Sequence, residues 1–65
     1  MIDPTAISLD VQIAAVNREI GQRERVYPRL VDAGRMSQRM ADEQTAAMKA
    51  VALTLATLKA GERLL

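Results

Sequence analysis

The sequence predicts an all-α fold, an antiparallel αα-hairpin whose first helix is kinked or broken near Pro28. Three observations predict it. Apolar residues recur at alternating steps of three and four in two long stretches, and a short segment with Gly34 and Ser37 divides them. The hydrophobic content is Ala, Val, Leu, Ile and Met with one Tyr and no Phe or Trp, a composition that favours helix.

Each element has a local reason. Asp3 can cap backbone N–H groups and Pro4 suits a first helical position, so helix 1 is expected over about 4–33. Its seam reads Leu9, Ile13, Val16, Ile20, Arg23, Tyr27 and Leu30, with the Arg23 head turned outward towards Glu19. Pro28 interrupts this pattern at a cost of about 3 kcal/mol in a helix interior. Two outcomes stay open: a kinked continuous helix, or a break with Pro28 opening a short helix to Ala33. Gly34 can take the left-handed conformation of a helix terminus and Ser37 can cap the next helix, giving a turn at 34–37. Helix 2 is expected over about 38–60, with a seam of Ala41, Gln44, Met48, Val51, Leu55 and Leu58 and a stop at Gly61, after which "ERLL" either frays or continues the helix. A short connection makes the two helices antiparallel neighbours in one domain, 1–65.

At 65 residues a single core is marginal, and with no Cys or His there is neither a disulfide nor a zinc site to reinforce it. The expected remedy is a partner. Ile7 and Val11 extend apolar character to a second face of helix 1, and helix 2 carries Leu53 off its seam. A homodimer, two hairpins forming a four-helix bundle, buries such surplus faces; the expected interface is Ile7, Val11, Met48, Val51, Leu55 and Leu58. Scattered exposed apolar residues are the plainer alternative.

Charge is uneven although the net value is only +1. Six of the nine basic residues lie between Arg18 and Arg39. At about 100° per residue, Arg18, Arg25 and Arg29 share one direction, about 180° from Ile20 and Tyr27. This stripe is either a solvated basic face or a contact for phosphates or an acidic protein surface. Tyr27, Arg35 and Arg39, with Met36 and Met40 near the turn, are residue types that anchor protein interfaces. The candidate partner-binding set is therefore Arg18, Arg25, Tyr27, Arg29, Arg35 and Arg39.

Catalysis is not expected. The adjacent Asp42 and Glu43 point to different faces, neither Lys49 nor Lys59 sits in a recognisable motif, and there is no glycine-rich phosphate loop. No cofactor and no metal are expected. No stretch approaches the roughly 18 uninterrupted apolar residues of a membrane span, and the first residues lack a secretory pattern, so a soluble, cytoplasmic protein is expected.

Arg23, Val26-Tyr27-Pro28, Val31, Gly34 and Met36, followed by Ala41, Met48, Ala50-Val51 and Thr54-Leu55, resemble a pattern found in short helical-hairpin proteins of tailed phages and prophages. The similarity spans about 18–58, its most specific part being "RVYP" followed by "V..GRM", and it departs at Thr45 and Ala47, where such proteins are more apolar. The resemblance implies a phage accessory protein that binds a host protein and blocks or redirects it, in host takeover or anti-defence. It implies no target and no catalytic residue. Two alternatives accompany it: nucleic-acid binding through the basic segment 18–39, and capture of an anionic nucleotide by arginines and Tyr27 in an oligomer.

Overall fold

The computed structural model describes residues 1–62 and consists of a 3₁₀ turn, Pro4–Ala6, followed by two long helices, α1 (Leu9–Asp32) and α2 (Gln38–Glu62). The hairpin is as expected. Its N-terminus is not, because the helix expected from Pro4 closes only one 3₁₀ turn. Asp3 caps that turn by accepting from the Thr5 amide at 2.9 Å and the Thr5 hydroxyl at 2.8 Å. Ile7 and Ser8 are then extended, and Ser8 starts α1 afresh as its N-cap, its hydroxyl accepting from the Val11 amide at 3.3 Å. Two capping side chains five residues apart compete for the same backbone, and the one adjoining the heptad pattern starts the long helix. Ile7 therefore lies outside α1, and its carbonyl accepts from the Gln12 side chain at 2.9 Å.

α1 runs through Pro28 as one element, which excludes the separate helix from Pro28 to Ala33. Its C-terminus closes as a Schellman motif: the Arg35 amide donates to the Leu30 carbonyl at 2.8 Å and the Gly34 amide to Val31 at 3.0 Å, with Gly34 at φ +72°. Ser37 then caps α2 through the Met40 amide at 3.0 Å. Gly61 does not stop α2, which is helical to Glu62; the remainder of the "ERLL" segment lies outside the described residues.

The helices pack along their length. At the end away from the turn, the Lys59 ammonium reaches Asp10 of α1 at 3.1 Å. All seven expected seam residues of α1 are half-buried. In α2 the inward line is Ala41, Thr45, Met48, Ala52, Leu55 and Lys59, so Gln44, Val51 and Leu58 of the expected seam face outward. The physical reason is side-chain size: Ala41, Thr45 and Ala52 let the α1 side chains seat against the α2 backbone, where Val51 and Leu58 would hold the helices apart.

Two helices make one layer, and one layer has almost no interior. The Cα atoms span 48 × 30 × 14 Å, and Ala41, 4% exposed, is the one buried residue among those described. The radius of gyration is 14.8 Å, whereas a compact domain of this length has about 11 Å.

Candidate interaction surface

Four surfaces surround this layer: the outer edge of α1, the turn end, and the two broad faces. The edge carries the arginine stripe. Arg18, Arg25 and Arg29 are exposed, and none of them makes an ion pair among the described residues. Val11, also exposed, continues the same edge towards the N-terminus. Arg23, by contrast, belongs to the seam and leans back along α1, donating to the Glu19 carboxylate at 2.6 Å and to the Glu19 carbonyl at 3.2 Å. Donating to the Glu19 carboxylate raises the already high pKa of this guanidinium.

Tyr27 sits on the opposite side of α1 from the stripe, half-buried towards α2, where it borders an open groove of about 290 Å³ near the turn. Pro28, Val31 and Ala41 line the same groove, and Glu24, Asp32 and Asp42 rim it. Arg35 is exposed in the turn, and Arg39 is exposed on α2 with its Nε donating to Glu43 at 2.9 Å. The six candidate partner-binding residues are thus divided: three on the outer edge, two at the turn end, and Tyr27 between the helices.

The two broad faces differ. On one, Ile13, Asn17 and Ile20 of α1 and Ala52, Leu53 and Ala56 of α2 line a shallow, mainly apolar groove of about 520 Å³. On the other, Met40, Ala47, Val51 and Leu58 fall within about 40° of one direction on α2, some 90° from the line that contacts α1. Val26 of α1 faces the same side. Here the side chains stand clear: Met40 is 52% exposed, Val51 45%, Leu58 54% and Val26 38%.

The expected oligomer interface is divided in the same way. Met48 and Leu55 pack within the hairpin, Val51 and Leu58 stand on the second broad face, Val11 is on the far edge of α1, and Ile7 precedes the helix. Met40 and Ala47, both members of the exposed row, are absent from the interface expected from sequence. The signal that finds them is their spacing to Val51 and Leu58, seven, four and seven residues.

No family model, curated protein or solved structure matches the chain. Among the described residues, no group of three or more His, Cys, Asp or Glu side chains is placed to hold a metal ion, and no helix is long and apolar enough to cross a membrane. The arrangement offers broad, shallow contact: an arginine edge, an apolar row and two open grooves.

Proposed function

We propose that this protein is a non-enzymatic accessory factor that acts by occupying the surface of another protein, in the manner of phage- and prophage-encoded proteins that block or redirect host machinery or defence. The observation that carries the reading is the single-layer hairpin with one buried residue among those described. Helices with apolar side chains on more than one face gain stability when a further layer covers them. The phage setting rests on the "RVYP" and "V..GRM" resemblance alone. Cytoplasmic action belongs to the same reading.

In this reading the working form is a dimer of hairpins, a four-helix bundle that keeps the arginine edges and turn ends outward for the host protein. Docking is steric: the presented helices fill a groove or mask a functional patch. The test is capture of partners by the tagged full chain from host lysate, with and without nuclease, read by mass spectrometry. One host protein retained after nuclease treatment supports the proposal and names the target; loss of every partner on nuclease treatment overturns it.

A second reading has one observation in its favour, the three arginines of the outer edge with no acidic partner among the described residues. It is nucleic-acid binding. About four phosphate contacts on duplex DNA give a log–log salt slope of roughly −3.6, so binding that barely changes with salt excludes it. Capture of an anionic nucleotide has weaker support, because Tyr27 lies across α1 from the stripe it would share a site with.

A further inference from the structure

We infer that the Met40, Ala47, Val51 and Leu58 row of α2 is the contact surface for a second copy of this chain, packed antiparallel about a two-fold axis level with Lys49. This rests on the dimeric form proposed above and adds to it the face, the direction and the register.

Three observations select a second copy as the occupant. The first is area. The chain exposes 5265 Å², about 1,200 Å² more than the roughly 4,100 Å² that size scaling gives a compact monomer of its mass. A stable interface takes about 800 Å² from each partner, so the surplus suffices for one. The second is spacing. Steps of seven, four and seven residues read the same in both directions, so an antiparallel copy sets Met40 against Leu58 and Ala47 against Val51, twice over. The third is charge. The row contains no charged member, so nothing in it selects a charged partner, and antiparallel α2 helices also oppose their dipoles favourably.

The other broad face is the weaker choice. Its groove presents one strongly exposed large apolar side chain, Leu53 at 70%, against Met40, Val51, Leu58 and Val26 on the row's side. Ala47 has the further effect of allowing close approach near the axis, where a large side chain on both copies would hold the helices apart. The result is a two-layer bundle in which the arginine edges stay outside.

The test uses the full chain. Sedimentation equilibrium is expected to give twice the 7.1 kDa chain mass. The natural sequence has no Cys, so single-cysteine variants report register directly. Mixing equal amounts of Ala47→Cys and Val51→Cys is expected to give a mixed disulfide well above the roughly twofold excess over either homodimer that random pairing produces, as is mixing Met40→Cys with Leu58→Cys. Val51→Glu is expected to weaken self-association at least about tenfold by burying a charge, while Leu53→Glu leaves it unchanged. If Val51→Glu fails to fold, the cysteine mixtures still decide. A monomeric mass throughout, mixed cross-links at or below the roughly twofold ratio of random pairing, or cross-linking led by Leu53→Cys overturns the inference. The two proposals fail separately: a monomer that still retains a host protein removes only self-association, and a dimer that retains none removes only the host-protein reading.

Discussion

Replacing Pro28 with alanine is expected to stabilise the hairpin, because the residue lies inside a continuous 24-residue helix, one turn before its C-terminus. Proline there has no N–H to give to the Glu24 carbonyl and its ring crowds that carbonyl, so it is about 3 kcal/mol less favourable than alanine. Part of this is offset, since proline also restricts the unfolded chain, an effect of about 0.4–1 kcal/mol. Packing returns little: Pro28 is exposed and borders an open groove. The net gain for Pro28→Ala is therefore about 2 kcal/mol, which for a domain near this size raises Tm by about 8–16 °C. Thermal unfolding followed by circular dichroism, at one fixed protein concentration because association shifts Tm, measures it. An unchanged or lower Tm refutes the reasoning and means that the ring makes contacts worth as much as the helix loses. A large gain means instead that proline is kept beside Tyr27 at a cost in stability, and the same variant then belongs in the partner-capture assay.

Further expectations concern caps, glycines and pH. Gly34→Ala places a Cβ at φ +72° and is expected to cost about 1 kcal/mol, while Gly21→Ala, inside α1 with open space around its Cβ position, is expected to gain about 1 kcal/mol; urea midpoints shifting the same way for both would contradict this. Ser37→Ala removes the cap on the Met40 amide and is expected to cost about 1 kcal/mol, with faster amide exchange in the first turn of α2 as the local readout. The Asp3 carboxylate is held below its ordinary pKa by the Thr5 amide and hydroxyl. A depressed folded-state pKa stabilises the N-terminal turn above the unfolded pKa and loses that contribution as pH falls through the folded one. An NMR titration of the Thr5 amide should accordingly show a midpoint below the ordinary aspartate range, and a midpoint at or above it would count against the Asp3 cap.

Much of the hairpin was legible in the sequence because its signals are local. Gly34 and Ser37 carry out the terminating and capping roles their chemistry suggests, and the α1 seam from Leu9 to Leu30 faces α2 throughout. The error at the N-terminus has its origin in competition: Asp3-Pro4 is a sound helix start taken alone, but Ser8 offers another beside the heptad pattern. At Pro28 the sequence left two outcomes open, and the continuous helix is the one adopted, because the apolar contacts made on both sides of the proline outweigh one lost hydrogen bond.

The sequence by itself determined the two helices, their turn, the α1 face that packs and the arginine stripe, since each depends on residues within one or two helical turns of each other. Only the tertiary structure decided which face of α2 turns inward. Hydrophobicity favours Val51 and Leu58 for that role, yet close approach of two helices selects small side chains, and Thr45 and Ala52 take it instead, while at the open end the stem of Lys59 lies inward as its ammonium reaches Asp10. That rotation of α2 sends Met40, Val51 and Leu58 to an open face, a consequence of fit between two surfaces that no single stretch of sequence contains.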